Sequence, residues 1–438
     1  MTGLRADKRL RSDFTWVLAG NILYSACQWG IVVALAKLGS PEKVGEYALG
    51  MAISAPIVLF ANLQLRALLA SDVSGQFSFG QYLTFRLVSL VAALFVVAGA
   101  AVCAHAGWRL GGIIVLVGFV QALDFVSDTY YGFMQRHEQM RRISVSLILK
   151  GPLSLAALCG MMYATHNVAW ALAGLILGRV LILLLWDSRL NFVTGLGGTF
   201  LEWNLREMIP LLRMALPLGV ISMLASLNTS IPRYFIEIHN GSTELGIFSA
   251  IASLLSTGTL VVASFGQSIF LPVARACATL DRAKYRGYVM LAVALGGGLG
   301  GVAVLVATLF GRQILTHVFR PEYSGHADIL VRLMIAGTIG FIASGLGYVI
   351  TAARSLTPQI PLLLAANLAS AATAAWSIPR HGFSGAADAV LAGAVLQLIG
   401  TGAILLSIDR RLEPSSETPV ALPLRATPKL QRMGAETT

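Results

Sequence analysis

The sequence predicts an all-α integral membrane protein, with about twelve transmembrane helices in two six-helix lobes around a central cavity. Three observations carry this prediction. Twelve apolar stretches are each long enough to cross a bilayer, given that about 20 helical residues span a hydrocarbon core of roughly 30 Å. Charged residues make up 12% of the 438, against about 25% in a soluble domain, and mean hydropathy is +0.74. The stretches fall into two groups of six with a basic loop between them. In lipid each stretch must be helical, because only intrahelical bonds can satisfy its backbone.

The first lobe, residues 14–186, holds helices at 14–37, 44–69, 80–103, 111–134, 143–164 and 168–186. The second, 214–407, holds 214–236, 244–272, 287–310, 328–353, 358–378 and 384–407. Between them lies a linker, 187–213, whose polar stretch Glu202-Trp203-Asn204-Leu205-Arg206-Glu207 reads as a short helix on the membrane surface. Residues 1–13 form a basic N-terminus. The tail, 408–438, is rich in Pro, Ser and Thr, has no apolar period, and is expected to be disordered. The first apolar run follows Arg5, Lys8, Arg9 and Arg11 and lacks an A-x-A exit, so it reads as a retained helix rather than a signal peptide.

Basic residues choose the orientation. The N-terminus, the even-numbered loops and the start of the tail carry 17 Lys and Arg, against 6 in the odd loops, which puts both termini in the cytoplasm. The net charge of +11 sits in short loops without interleaved aromatics, which fits anionic lipid and argues against nucleic acid as a partner. Cys27, Cys103, Cys159 and Cys277 are scattered through apolar stretches with no paired spacing, so neither a metal site nor a disulfide framework is expected. A P-loop, a nucleophile elbow and a metal-ligand cluster are missing from the sequence, so no cofactor, no ATP hydrolysis and no enzyme activity are expected.

A repeat crosses the linker. Val44-Gly45-Glu46-Tyr47-Ala48-Leu49 at the start of the second helix matches Leu245-Gly246-Ile247-Phe248-Ser249-Ala250 at the start of the eighth, with Gln64 and Gln267 following deep in each. Six helices per half is an even number, so the halves enter the membrane from the same side. Such lobes suit alternating access by rocking.

The chain resembles the polysaccharide flippases of the multidrug/oligosaccharidyl-lipid/polysaccharide (MOP) exporter superfamily, which translocate O-antigen and exopolysaccharide precursors. Three stretches carry the resemblance. The first is Gly20-Asn21 through Gln28 to Val44-Gly45-Glu46-Tyr47. The second is Leu63-Gln64-Leu65-Arg66, with Asp72 and Tyr82-Leu83-x-x-Arg86. The third is Ala215-Leu216-Pro217-Leu218-Gly219, with Pro232-Arg233-Tyr234-Phe235-Ile236-Glu237 and the repeat that follows. The similarity runs to about residue 408 and is silent about substrate. It implies a MATE-like fold in the bacterial inner membrane. It also implies movement of an undecaprenyl-pyrophosphate-linked oligosaccharide from the cytoplasmic to the periplasmic leaflet, for lipopolysaccharide or exopolysaccharide synthesis. Partners that follow are the lipid-linked oligosaccharide, membrane lipids, H+ or Na+ as a coupling ion, and polysaccharide polymerase and glycosyltransferases. Several members of the superfamily have fourteen helices; this chain supports twelve.

Ionisable groups within spans are expensive and mark candidate sites. Lys150 and Arg179 lie about 10 Å in from the cytoplasmic edge and read as cavity cations for an anionic headgroup. Arg66 and Arg86, nearer that edge, serve either as cavity cations or as snorkelling lipid contacts. The fourth helix carries Gln121, Asp124, Asp128, Tyr131 and Gln135 on one face, which must point inward. Three readings of its aspartates stay open: a neutral network with Lys150 and Arg179, a proton or sodium coupling site, or ion pairs that rearrange as the lobes rock. Asn21, Ser25 and Gln28 form an amide and hydroxyl face suited either to sugar hydroxyls or to interhelical bonds. Arg233 and Glu237, one turn apart at the outer end of the seventh helix, read either as an exposed surface ion pair or as a periplasmic gate contact. The glycines at 296–298, 300 and 301 permit either close helix packing or a flexible point. An ion-coupled drug exporter of the same superfamily is the alternative function, disfavoured because the first helix has no acid. A membrane glycosyltransferase or polymerase is a further one; the longest odd loop, 311–327, with His317, Glu322 and His326, is short for an active site.

Overall fold

The computed structural model describes residues 2–72, 75–105, 107–188, 202, 205–353, 355 and 357–412, excluding the side chains of 2–15 and 205–208. The described residues are helical almost throughout. The first lobe comprises α1 (Thr2–Leu38), α2 (Pro41–Asn62), α3 (Leu65–Ser71), α4 (Phe79–Cys103), α5 (Trp108–Arg136), α6 (Met140–Thr165) and α7 (Val168–Ile182), which ends in a π-helical turn, Leu183–Asp187. The second comprises α8 (Leu205–Asn240), α9 (Ser242–Ser253), α10 (Leu255–Ala278), α11 (Arg282–Val318), α12 (Ala327–Ala352), α13 (Gln359–His381) and α14 (Gly385–Arg411). Among the described residues, eleven stretches are long and apolar enough to span a membrane, and the last of these, Gln359–Arg411, is interrupted at Gly382–Ser384 into two helices. This is a multi-pass membrane protein. We call the face where α1 begins proximal and the opposite face distal.

The two lobes repeat the same neighbour relations. α6 packs on α1 and α7, as α13 packs on α8 and α14; α5 packs on α2, α4 and α7, as α12 packs on α10, α11 and α14. Between lobes the symmetry breaks. α2 packs along both α8 and α9, whereas α1 meets the second lobe lightly, at α9.

The apolar cores locate the seal. The largest joins both lobes at their distal ends, uniting Ile31, Leu35, Val44 and Ala48 with Ile236, Leu245, Phe248 and Ile251. Toward the proximal face each lobe has a core of its own, with Leu83, Tyr131 and Leu147 in the first lobe and Ile269, Tyr285 and Val349 in the second, and a smaller cluster joins Leu63, Leu65 and Leu69 to Leu211 and Ala215 of α8. The larger shared core marks the distal seal, while proximally the core joining the lobes is small and involves the start of α8. Opening that seal to water exposes side chains worth about 1.5–3 kcal/mol each. Trp29 Nε1 donates to Ser253 Oγ at 3.2 Å, Arg320 donates to the Lys37 carbonyl at 2.5 Å, and Tyr234 donates to the Ala52 carbonyl, adding polar links across the seal.

Glycine makes the closest approach possible. A Cβ on Gly45 would lie 1.8 Å from the Ser242 carbonyl oxygen, and one on Gly246 would lie 1.8 Å from that of Pro41. The repeated glycine thus puts the starts of α2 and α9 backbone to backbone, each lobe supplying one.

Several boundaries differ from the sequence reading. The expected second helix breaks at Leu63 and Gln64, both left-handed (φ 51° and 52°), and the eighth divides at Leu254. α11 runs unbroken for 37 residues, ~55 Å at 1.5 Å per residue, straight through the glycine run. Gly296 and Gly300 in it meet Ile342 and Thr338 of α12, so the glycines serve close packing. α8 begins at Leu205, so Leu205–Arg213 is its first turns rather than a separate surface helix; Leu211, 1% exposed, packs with Leu65 and Leu69. The rest of the expected linker helix, apart from exposed Glu202, and the tail from 413 lie outside the described residues, as do the basic side chains of the N-terminus.

Candidate functional site

α5 is the polar spine of the first lobe, and each residue of its inward stripe meets a different helix. Gln121 donates to Ser54 Oγ of α2 at 2.6 Å. Asp124 pairs with Arg179 of α7. Asp128 accepts from Arg66 Nη1 of α3 at 2.9 Å, and Gln135 accepts from Arg66 Nε at 3.3 Å. Tyr131 accepts from Lys150 Nζ of α6 at 2.9 Å, with its ring 5.0 Å from that ammonium and 5.7 Å from the Arg66 guanidinium.

The pairing departs from the sequence reading in one respect. Arg179 takes Asp124 as expected, but Asp128 goes to Arg66, and Lys150 goes to Asp187, 3.4 Å away. Asp187 closes the π-helical turn after α7, whose wider winding turns the carboxylate inward. It accepts from Ser146 Oγ at 2.6 Å, and Ser146 lies 2.8 Å from the Tyr131 hydroxyl. Sequence reasoning left Asp187 at the edge of the linker. Its only signal was its place directly after an apolar helix.

Burial then sorts the cations. Lys150 is 1% exposed and Asp187 0%, so this pair is sealed inside the lobe. Arg179 is 4% exposed and also donates to the Val120 carbonyl at 2.8 Å and to Gln28 Oε1 at 3.1 Å. Lys150 therefore does not line a space between the lobes, and Arg179 reaches one only through Asp124, whose side chain is 25% exposed. Arg86, 0% exposed, neither snorkels nor faces a cavity. It donates to Thr129 Oγ1 at 3.0 Å, to the Asn62 carbonyl at 2.7 Å and to Asn62 Oδ1 at 2.6 Å. That carbonyl is left free by the left-handed break after α2, so Arg86 caps the helix end. The break in turn aims Gln64 at Ser222 Oγ of α8, 3.0 Å away in the other lobe. Arg66, with its side chain 37% exposed, is the accessible cation of the set.

The polar face of α1 divides. Gln28 is bound between Arg179 and the Tyr24 hydroxyl, which it reaches at 2.7 Å. Asn21 is exposed and donates only to the Val17 carbonyl of its own helix, and Ser25 is half-buried. In the second lobe α10 is the amphipathic partner. Val262, Gly266, Ile269 and Val273 are buried on one side, while Thr257, Ser264, Gln267 and Ser268 are exposed on the other.

Arg233 and Glu237 of α8 do not form the expected ion pair. Glu237 accepts from Ser242 Oγ at 2.7 Å instead. Arg233 has no carboxylate within ion-pair distance among the described residues, and its Nε is buried without an acceptor. It lies within Coulombic range of Tyr47 in the first lobe, which is itself in range of Asp124 and Arg179. A lone cation thus stands beneath the distal seal, at the meeting of the lobes.

Two pseudo-equivalent bundles, closed at one end and carrying charge at their junction, have the architecture of the MOP-superfamily transporters. An inward-facing multidrug resistance MATE family transporter of that superfamily superposes with a TM-score of 0.72, covering 92% of this chain and 100% of that one at 13% identity. The lipid II flippase MurJ, in an inward closed conformation, gives 0.70 over 91% and 90% at 10% identity. Residues 10–275, more than half of the chain, match the polysaccharide biosynthesis protein family, and the chain belongs to it. The capsular polysaccharide biosynthesis protein CapF of Staphylococcus aureus is 27% identical over 338 residues, 76% of this chain and 83% of CapF.

Proposed function

We propose that this protein moves a polyprenyl-pyrophosphate-linked oligosaccharide, undecaprenyl being the bacterial carrier, from the cytoplasmic to the periplasmic leaflet by rocking of its lobes. The observation that carries the reading is Arg233. An unpaired cation in a membrane interior is tolerated where it meets water or an anion, and a pyrophosphate is such an anion. In this account the proximal face is cytoplasmic, as the excess of Lys and Arg there argues. Cargo enters while the distal seal is shut. Arg66 meets the phosphates near the proximal entrance and Arg233 holds them beneath the distal seal, and the uncharged polar faces of α1 (Asn21, Ser25) and α10 (Thr257, Ser264, Gln267, Ser268) take sugar hydroxyls. Lys150, Arg179 and Arg86 act from within the lobe, holding α5 and its aspartates in place. Glycosyltransferases on the cytoplasmic side supply the cargo, and a polymerase consumes it on the other.

Reconstitution tests this directly. Vesicles containing the purified protein and a fluorescent polyprenyl-pyrophosphate oligosaccharide should expose the inner-leaflet pool to an external dithionite quencher faster than protein-free vesicles. Equal rates with and without protein would overturn the assignment.

A further inference from the structure

The distal seal holds two carboxylates that the cargo account does not use. Glu46 of α2, 7% exposed, pairs through Oε1 with Arg109 of α5 at 3.1 Å, and its Oε2 is buried with no donor. Glu237 of α8, in the other lobe, accepts from Ser242 through Oε1, and its Oε2 is likewise buried with no donor. The two are brought together by the glycine crossing. Glu46 follows Gly45, which abuts the Ser242 backbone, and Ser242 is the residue bonded to Glu237. Each lobe therefore brings one buried, half-satisfied carboxyl to the same seam.

The charges facing them do not remove the problem. Glu46 sees Arg109 from α5, Glu42 and Lys43 from its own helix, and Glu237 from α8. Arg109 is 59% exposed and reaches only one oxygen. Arg233, one turn from Glu237, makes no ion pair with it. A buried carboxylate oxygen without a donor is costly, and two like charges in one dry seam add to that cost. A proton on Glu46 removes one of the two like charges from the seam and with it the cost of burying an unsatisfied carboxylate oxygen.

We propose that Glu46, facing Glu237 at the seam, is a proton-operated latch: it holds the distal seam shut when it carries a proton and loosens it when it ionises. The latch rests on the lobes rocking, but not on the identity of the cargo. The sign follows from linkage: the closed form binds one more proton than the open form, so closure is favoured as pH falls and lost as it rises. With one proton coupled, the closed-to-open ratio changes up to tenfold per pH unit above the ordinary glutamate value of about 4.3.

The test measures lobe separation without cargo. Spin labels go on Ala164→Cys and Gln313→Cys, exposed distal positions on α6 and α11, with the four native cysteines replaced and the protein in nanodiscs. The short-distance, closed population should fall as pH is raised from about 5 to about 8 at fixed sodium. Glu46→Gln removes the titrating charge and Glu237→Gln the charge it faces, and each should stay closed with a flattened pH response. A wild-type distribution that ignores pH, a response that follows sodium instead, or an undiminished pH slope in both Gln variants would each overturn the latch. Monodisperse elution and an unchanged helical spectrum exclude misfolding of the variants. Because no substrate is present, a failure here is distinguishable from a failure of the transport reading.

Discussion

Neutralising the buried pair of the first lobe separates an architectural lysine from a cargo-binding one. Lys150 and Asp187 lie 3.4 Å apart at 1% and 0% exposure. At that distance, with an effective dielectric constant of about 20, the attraction is about 5 kcal/mol. Removing one partner leaves the other buried and uncompensated, a loss of about 3–5 kcal/mol. Lys150→Met and Asp187→Asn should each cost about that much, while the double variant, which buries no net charge, should recover most of it, giving a coupling energy of about 3 kcal/mol or more. Equilibrium unfolding in mixed dodecyl sulfate and maltoside micelles measures all four corners of the cycle. In cells the double variant should export polysaccharide normally. Additive losses with no recovery would show that the pair is not coupled as described. A folded double variant that fails to export would return Lys150 to the cargo path.

Other consequences concern the seam and the helix break. Gly45→Ala or Gly246→Ala puts a methyl group 1.8 Å from a carbonyl oxygen of the opposing helix, so either should disfavour distal closure by about 1–3 kcal/mol, read as a 5- to 150-fold loss of the closed population by spin-label distances. Arg86→Met strips the acceptors Asn62 and Thr129 of a buried donor, and it should destabilise the protein by about 2–4 kcal/mol in the same micellar unfolding.

Much of the architecture could be read from the sequence because membrane helices follow from length and apolarity alone. The inward stripe of α5 was legible for the same kind of reason: steps of three and four fix a face, and carboxylates cannot face lipid. What those carboxylates touch was not legible. Asp187 pairs with Lys150 only because a π-helical turn redirects it, and nothing in Leu183–Asp187 announces that winding. The break at Leu63 and Gln64 carries no Gly or Pro; it is held by Arg86, which bonds Asn62 from 24 residues along the chain, so it belongs to tertiary structure. Depth misled in one instance. Two turns into the membrane read as a cavity position for Lys150, but depth along a helix says nothing of which neighbours close over it. The repeated Val-Gly-Glu-Tyr and Leu-Gly-Ile-Phe signatures were visible as a repeat, and only the fold reveals their glycines facing one another.

In the proposed cycle Arg233, a cation left unpaired at the lobe junction, holds the pyrophosphate of the cargo. Arg233→Gln tests it cleanly, since removing this side chain leaves no carboxylate without its partner. The measurement is the rate of lipid-linked oligosaccharide flipping in proteoliposomes containing wild-type or Arg233→Gln protein at matched, verified incorporation. The variant should flip at least tenfold more slowly, a loss of about 1.4 kcal/mol or more of stabilisation, with Arg233→Lys recovering part of it. Wild-type flipping by a well-folded Arg233→Gln protein would contradict it.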